Sequence, residues 1–436
     1  MGPMRDRGAA LLLALSAALL WGAASADGGL ALPPPIALPY APPLAVIDLF
    51  GPDTRFAHQS TAGRSAGVDD DTVRGDASLR ITTDGDGQQV NLRATGLAPI
   101  DVRDVHLRLL LRVDRPERLE HLYLYLSSDG FGGYEVYRVL GGSAEDAAYV
   151  LPDEWIAVTV ALGTPLARVG PGAVDLARVT DLQLSLVDRG GGPVTADIDA
   201  LEAIARPARG AVSLVFDDAR DGVFLRARPV LDRYGLRASV AAVVDLVGTP
   251  GFMTVEELRS LERLAGWDVV AHHANPLADG TGLTGLGDDD VLAELHATRA
   301  WLLAHGFRRG VEHFVYPYGA FDARIVELVR TVYASSRTIV RGLGLETLPP
   351  ADPYRIRAVS VTRDDPPEAL MTAIDRAARE RAWLVLVFHR VTDGAPNTTP
   401  DGATAYPVAG LAAVAAHLAA ADVDVVTLPE ALTAPR

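Results

Sequence analysis

Two adjacent carboxylates, Asp217 and Asp218, follow the strand-like run Ser-Leu-Val-Phe at 213–216. Side chains alternate along a strand and the strand ends here, so both carboxylates are expected at the mouth of a sheet. Neighbouring carboxylates repel each other, and a cation beside them removes that cost. The pair therefore suggests a metal ligand next to a general base. The alternative is a strand-end turn, where Asp is common because it caps helices and tolerates unusual backbone angles.

Polar side chains also follow three later strand-like runs, at 267–271, 313–315 and 383–388. The first run is followed by His272 and His273, the second by Tyr-Pro-Tyr-Gly, and the third by His389. Carboxylates and histidines at the C-terminal ends of successive strands, separated by helical stretches, are typical of an α/β barrel. Agreement among four strand ends favours an active site over unrelated surface residues.

These motifs, in this order, resemble those of the polysaccharide deacetylases of the NodB-type carbohydrate esterase family. The matching segments are Phe-Asp-Asp at 216–218, 266–272, Tyr-Pro-Tyr-Gly at 316–319, and Leu-Val-Phe-His at 386–389. Ala219 stands where the family usually has Gly. The resemblance covers residues 211–436 and implies a distorted (β/α) barrel.

The resemblance implies metal-assisted hydrolysis of an N-acetyl or O-acetyl group on a sugar. It makes Asp217 the general base that activates water and His389 the acid that protonates the leaving amine. It makes Asp218 and His272 ligands of a divalent metal ion, for which zinc, cobalt or nickel is expected. The backbone N–H of Tyr318 is the expected donor to the tetrahedral oxyanion.

The metal motif departs from the family pattern. In the family, His-x-x-x-His places two imidazoles at positions i and i+4. Counted from His272, position i+4 is Pro276, whose ring cannot ligate a metal. Asn275, at i+3, is the preferred third ligand, and His273, Asp279 and water are the alternatives.

A second departure precedes the Pro-Tyr-Gly turn, where many family members have an Arg that orients the base and this chain has Val315. Without that Arg and the second His, the site is expected to be weaker, tuned to another metal, or inactive. The Gly-rich run 278–287 is either an insertion that returns to the site or a flexible surface loop.

The first 43 residues predict export. Residues 1–26 combine Arg5 and Arg7 with an apolar run and the pattern Ala-Ser-Ala, which is typical of a signal peptide. An uncleaved anchor is the alternative. Residues 27–43 are a Pro-rich tether. We therefore expect a secreted, periplasmic or cell-envelope protein with no stable membrane span after signal cleavage.

Composition narrows the classes of partner. The chain has no Cys, which excludes disulfides and thiolate metal sites. It carries 40 basic residues, all of them Arg, against 56 acidic ones, for a net charge of −16. Nucleic acids and anionic membrane surfaces both need a cationic footprint, so neither is expected. A polysaccharide that is neutral, or becomes cationic on deacetylation, is compatible.

Residues 44–206 show short alternating strands and no convincing helix. The strand-like runs are 78–82, 105–113, 122–126, 155–160 and 182–186. Their spacing predicts an antiparallel β-sandwich, similar in pattern to jelly-roll carbohydrate-binding modules. Tyr123 and Tyr125 share one face of their strand, and the leucines between them share the other. The tyrosines either stack on sugar rings or fill the core.

Helical spacing of apolar residues recurs through the C-terminal half. It predicts helices at 225–234, 255–265, 288–305, 322–333, 367–381 and 408–421, and a closing strand at 423–428. The chain is thus expected to be a secreted, metal-dependent hydrolase of acetylated polysaccharide, with a sandwich at 44–206 and a barrel at 211–436. One alternative is a non-catalytic carbohydrate-binding protein with a degenerate barrel, and another is an esterase acting on O-acetyl groups.

Overall fold

The N-terminal half consists mainly of short β-strands. The computed structural model describes residues 42–68, 72–275, 282–340, 345–394 and 400–433. The predicted signal peptide and nearly all of the predicted tether lie outside them. The strands of this half are β1 (Ala45–Asp48), β2 (Ala57–His58), β3 (Arg64–Val68), β4 (Ser78–Thr82), β5 (Val90–Ala94), β6 (Val105–Val113), β7 (Leu119–Ser127), β8 (Tyr134–Gly141), β9 (Ile156–Val160), β10 (Ala167–Val169), β11 (Asp181–Asp188) and β12 (Thr195–Ala205).

These strands form two antiparallel sheets. The first has the order β3-β4-β12-β6-β9, with β1 paired to β12, and the second has the order β10-β8-β7-β11-β5-β2. Leu109 and Leu111 of β6 are fully buried in one apolar core with Leu122 and Leu124 of β7. The two sheets therefore share a core, as the alternating runs predict. The jelly-roll strand order stays a prediction.

A short helix, α1 (Ala144–Tyr149), lies within this half and contradicts the expectation of no helix. Six residues are too few to show a helical period in the sequence. The ring of Tyr149 is buried and lies edge-on to Phe321, with centroids 6.5 Å apart. This contact with a distant residue helps to fix the helix, and local sequence does not reveal it.

The C-terminal half alternates strands with helices. Its strands are β13 (Gly210–Asp217), β14 (Ser239–Val243), β15 (Asp268–His273), β16 (Gly310–Val315), β17 (Ser335–Arg337), β18 (Val359–Ser360), β19 (Trp383–Phe388), β20 (Arg390–Thr392), β21 (Ala405–Pro407) and β22 (Val423–Val425). Its helices are α2 (Arg228–Asp232), α3 (Val255–Leu264), α4 (Asp288–His305), α5 (Ala323–Arg330), α6 (Pro367–Glu380), α7 (Val408–Ala420) and α8 (Leu428–Thr433).

One parallel sheet carries the order β17-β16-β15-β14-β13-β19-β18, with β22 paired to β13. Strands β13 and β19 are buried along their whole length, which explains their continuous apolar runs. The segment directly before β18 pairs with β17 through a parallel bridge between Arg337 and Ile356, and the Thr338 N–H donates to the Ile356 carbonyl at 2.9 Å. Parallel strands bring their C-terminal ends to one edge, and there Asp217, His272 and His389 meet.

Several predicted elements begin or end a few residues away from the predicted positions, and two of them differ in kind. The predicted helix 225–234 consists of a π-helical turn, Val223–Ala227, followed by α2. The predicted strand 423–428 stops at Val425, because Thr427 caps helix α8 instead. The Thr427 backbone N–H donates to Glu430 at 2.9 Å, and the Glu430 N–H donates to the Thr427 hydroxyl at 3.3 Å. This reciprocal pair is a capping box.

Buried polar contacts join the two halves, which both lie in the compact unit 35–436. Nη2 of Arg357 donates to the hydroxyl of Thr159 on β9 at 3.1 Å and to Glu346 at 2.9 Å. The Thr347 hydroxyl also donates to Thr159, at 2.9 Å.

None of the helices in the described residues is long and apolar enough to cross a membrane.

Candidate active site

Asp217 is the last residue of β13, and its side chain is buried at the C-terminal edge of the sheet. Nη2 of Arg337 donates to both of its carboxylate oxygens, at 2.6 and 2.8 Å. Burial alone would raise the pKa of Asp217, but the charge of Arg337, together with His272 and His389 when these are protonated, outweighs burial and holds the pKa below its usual value. Asp217 is therefore an ionised carboxylate in a fixed orientation.

The backbone turns sharply after Asp217. Asp218 and Ala219 both have left-handed angles, with φ of 70° and 55°, so the usual Gly at 219 would relieve strain. Oδ1 of Asp218 lies 3.7 Å from Nε2 of His272, and its Oδ2 lies 3.5 Å from Nε of Arg220. The two adjacent carboxylates thus have different surroundings, one in a buried ion pair and one facing an open cavity.

His272 presents a lone pair towards Asp218. Its Nδ1 lies 2.9 Å from the carbonyl oxygen of Val315. A carbonyl only accepts, so Nδ1 carries the hydrogen and Nε2 is the unprotonated nitrogen. Burial lowers the pKa of His272 to about 4, so the ring is neutral at neutral pH. A neutral imidazole with its second nitrogen held by a carbonyl is the usual form of a metal ligand.

His273 lies edge-on to His272, with ring centroids 4.4 Å apart. Burial lowers its pKa to about 3, so this ring is neutral too. Its buried Nδ1 has no hydrogen-bond partner among the described residues. A buried nitrogen without a hydrogen-bond partner lowers the stability of the fold. Its presence beside Asp218 and His272 favours a contact with a water or a metal ion.

One cavity of about 330 Å³ joins these side chains. His389, at the end of β19, places Nε2 3.9 Å from Oδ2 of Asp217. Tyr318 also lines the cavity, 58% exposed and with a φ of 59° in the turn after β16. The remaining lining residues are Asp218, Arg220, Val243, Leu246, His272, His273, Pro317, Ile339, Arg390 and Thr404.

The structure does not bring Asn275 to this cavity. Its backbone N–H donates to Glu294 of α4 at 3.0 Å, and its amide Nδ2 donates to the other oxygen of that carboxylate. The preference for Asn275 as third ligand therefore finds no support in the geometry. Among the other candidates, His273 lines the cavity, while Asp279, like Pro276, lies outside the described residues.

Asp218 and His272 fit a divalent cation as ligands. Two ligands that each lie about 2.1 Å from one ion can be up to about 4.2 Å apart, and the facing atoms here are 3.7 Å apart. In the described part of the chain, no three His, Cys, Asp or Glu side chains are arranged to hold a metal. The two donors thus leave the rest of the coordination shell to water, to a rotated His273, or to residues beyond the described ones.

Sequence reasoning missed two arginines of the site, Arg220 and Arg337. Many members of the resembled family have an Arg at the position of Val315. Here the guanidinium beside Asp217 comes instead from Arg337, on the neighbouring strand β17. The signal was weak, because β17 is the three-residue polar strand Ser-Ser-Arg. Arg220 follows the carboxylate pair directly, and its guanidinium lies over Phe252, 4.4 Å from the ring centroid. That position next to the motif was the available signal for Arg220.

Comparison with known proteins supports the resemblance over part of the chain. The family model for polysaccharide deacetylase matches residues 205–333, which hold Asp217, Asp218, His272 and Tyr318. This match confirms the resemblance found in the motifs for that segment. A search of curated proteins gives no match.

Several solved structures are similar at low identity. One is the Xyl-CE4 domain of a multidomain xylanase from the hindgut metagenome of Trinervitermes trinervoides, at 15% identity over 51% of this chain and 89% of that chain, with a TM-score of 0.36. Another is a family 4 acetyl xylan esterase from Clostridium thermocellum in complex with cobalt, at 19% identity over 51% and 90%, with a TM-score of 0.36. A structure of β-sandwich carbohydrate-binding modules matches at 16% identity over 36% and 61%, with a TM-score of 0.28.

Proposed function

We propose that this protein is a secreted, metal-dependent hydrolase that removes acetyl groups from an N-acetylated polysaccharide. The observation that carries the proposal is the meeting of Asp217, Asp218, His272 and His389 in one cavity at the strand-end edge. These are the residue types that acetyl hydrolysis needs: a base, an acid and cation ligands. The proposal of secretion rests on the signal-peptide pattern of residues 1–26.

The two proton transfers of hydrolysis involve two side chains, one at the end of each of two neighbouring strands. Hydrolysis of an N-acetyl group removes a proton from water and delivers one to the nitrogen as the C–N bond breaks, giving acetate and an amine. Asp217 accepts the water proton, because its carboxylate is ionised and held by Arg337. Nε2 of His389, 3.9 Å from Asp217, delivers the proton to the nitrogen. The backbone N–H of Tyr318 donates to the carbonyl oxygen as negative charge develops there.

Asp218 and His272 would hold the divalent cation. When bound, such an ion polarises the acetyl carbonyl and lowers the pKa of water. Asp218 also contacts Arg220, because Nε of Arg220 lies 3.5 Å from its Oδ2. The Asp218 carboxylate would therefore interact with the guanidinium and the cation at the same time. An O-acetyl group meets the same residues, with an alcohol leaving instead of an amine.

A non-catalytic carbohydrate-binding protein is the second candidate function. Two observations favour it: a guanidinium already neighbours Asp218, and the described residues include no three-ligand group. In this case the cavity would bind sugar through its polar lining without turning it over.

Acetate release and metal content together test the two functions. The full chain, loaded with zinc, cobalt or nickel and then dialysed, is expected to keep about one equivalent of metal. It is expected to release acetate from at least one of chitin oligomers, peptidoglycan, poly-N-acetylglucosamine and acetylxylan. His389→Ala should lose turnover and keep the metal. Binding of a glycan by the parent without acetate release under any metal would support the non-catalytic candidate.

We expect His273→Ala to weaken zinc binding more than Asn275→Ala does. His273 has an unpartnered nitrogen beside the two donors, whereas the amide of Asn275 is engaged with Glu294. Titration of each variant against a zinc-competing dye measures the change in Kd directly.

The matched control is His296→Ala, which removes an exposed imidazole from helix α4. It should leave the zinc affinity unchanged. If Asn275→Ala weakened zinc binding and His273→Ala did not, the order of preference drawn from the cavity would be reversed.

A further inference from the structure

The outward side of the second N-terminal sheet carries aromatic and amide side chains. We call this surface the aromatic face, and it comprises Asn91, Arg93, His121, Tyr123, Tyr125, Tyr134, Gln183 and Ser185. We propose that the aromatic face binds an uncharged, N-acetylated polysaccharide chain in preference to its deacetylated, cationic product. This inference rests on the proposed function for the choice of polymer.

The tyrosines point away from the core. Leu122 and Leu124 are 0% exposed, whereas Tyr123 and Tyr125 are only half-buried. The sequence left open whether these rings fill the core or face outward, and the structure decides for the outward direction. A tyrosine ring that faces outward can match the C–H face of a pyranose.

The register of the sheet places a polar side chain beside each ring. Tyr125 is opposite Gln183, and Tyr123 is opposite Ser185. On the next strand, Gln183 is opposite Arg93, and Ser185 is opposite Asn91. Gln183 and Ser185 are buried, so the polar side chains that reach the surface of these two rows are the half-buried Asn91 and Arg93. They lie beyond the rings, where a polar group can fix the orientation of a bound sugar.

Contacts within the face hold the rings in place. The rings of His121 and Tyr123 are stacked, with centroids 3.8 Å apart and planes 10° from parallel. Tyr125 and Tyr134 have centroids 5.6 Å apart. Rings fixed before binding lose less conformational freedom when a ligand arrives.

Asn91 offers an amide donor to a ligand. Its Oδ1 accepts from Ser185 at 2.8 Å, from Gln183 at 3.1 Å and from Gln89 at 2.7 Å. Its Nδ2 donates to none of the described residues. These bonds orient the amide group, and its N–H groups suit the carbonyl oxygen of an acetamide or a sugar hydroxyl.

The charges of the face distinguish substrate from product. Nε and Nη2 of Arg93 donate to Gln183 at 2.8 and 2.6 Å, and its guanidinium lies 4.1 Å from the ring centroid of Phe131. These partners are uncharged. The carboxylate on the same side of β11, Asp181, is buried and accepts from the backbone N–H groups of Gly96 and Gly130, so it does not face a ligand. A deacetylated polymer bears ammonium groups, which would meet a guanidinium and no counter-charge. An acetylated polymer avoids that repulsion.

Binding of two matched oligomers to the full chain tests the inference. Calorimetric titration is expected to show tighter binding of the N-acetylglucosamine hexamer than of the glucosamine hexamer. The double variant Tyr123→Ala/Tyr125→Ala should bind the acetylated hexamer roughly tenfold more weakly, because it loses both rings that stack on the sugar. Trp155→Ala, which removes a partly exposed aromatic ring from the other sheet, should not change the affinity.

Two further variants keep the test valid if the alanine variant fails to fold. Tyr123→Phe/Tyr125→Phe retains the rings and should retain binding. Asn91→Asp keeps the oxygen that accepts from Ser185 and Gln183, removes the amide donor and adds a negative charge. It should reduce the preference for the acetylated hexamer by favouring the cationic one.

The inference is overturned if the parent binds neither hexamer, or binds the deacetylated one more tightly, or if the alanine variant binds like the parent. Self-association that the alanine variant abolishes, without oligomer binding, would assign the face to a second copy of the chain. Acetate release from a disaccharide reports the cavity alone. Failure there with intact oligomer binding would remove the proposed function and leave the aromatic face.

Discussion

Replacing Asp217 with Asn is expected to lower the kcat for acetate release about 10²–10⁴-fold while bound metal is retained. An amide has nearly the same shape as the carboxylate but cannot accept the proton of water. The proposed metal donors, Asp218 and His272, are untouched by the change. Acetate release at saturating polymer gives kcat, and elemental analysis after dialysis gives the metal content.

The complementary variant is Asp218→Ala, which should lose the metal as well as the activity. The contrast between the two variants tests the division of labour between adjacent carboxylates. Near-parental turnover in Asp217→Asn would show that another group is the base. Loss of metal from Asp217→Asn would make Asp217 a ligand, and the buried ion pair with Arg337 would then have to open on metal binding.

The sequence predicts the parts of the site that end long apolar strands. Strand β13 ends at Asp217 and strand β19 at Phe388, next to His389, and both strands are buried on two faces. Such strands are continuous apolar runs, so their ends are visible without a structure. Helix α4 occurs at the residues that the apolar spacing predicts, 288–305, and Gly306 ends it in a left-handed conformation.

The sequence does not predict side chains whose position depends on distant contacts. Asn275 was preferred as a ligand because it lies three residues after His272, as on a helix. Ala274 and Asn275, directly after β15, are not helical, and Glu294 on α4 accepts from the backbone N–H of each. Arg337 was missed because it belongs to a three-residue strand, and only the parallel sheet brings it to Asp217, 120 positions earlier in the chain.

Replacing Arg337 with Met is expected to move the acid limb of the kcat/KM profile to higher pH. In the parent, Arg337 helps to hold the pKa of Asp217 below its usual value, against the effect of burial. Without the guanidinium, burial dominates and the pKa of Asp217 rises. A general base acts only when ionised, so the variant should need a higher pH to reach full activity. Initial rates of acetate release across pH measure the shift.

The same substitution should lower the free energy of unfolding by about 3–5 kcal/mol at neutral pH, because it leaves a buried carboxylate unpaired. The sign of the pH dependence follows from the pKa directions. In the parent, the folded-state pKa of Asp217 lies below its ordinary value of 3.8, so the stabilisation from the ionised carboxylate is present above that pH and is lost on acidification. In the variant, the folded-state pKa of Asp217 lies above its ordinary value, so the free energy of unfolding falls as the pH rises from that ordinary value through the raised pKa. Urea denaturation should therefore show a large difference in the free energy of unfolding between parent and variant at pH 7 and a small difference near pH 4.

Arg299→Met separates positioning of the base from general stability. Nη2 of Arg299 lies 2.7 Å from Glu312, the guanidinium is almost fully buried, and neither residue lines the cavity. This control should also lose stability, but the acid limb of its activity profile should stay in place. If Arg337→Met lost stability with an unshifted acid limb, Arg337 would be structural only, and the base would be a group whose ionisation does not depend on it. A loss of stability alone does not move the acid limb. A shifted limb in Arg337→Met with an unshifted limb in Arg299→Met would therefore identify Arg337 as the residue that keeps the base ionised.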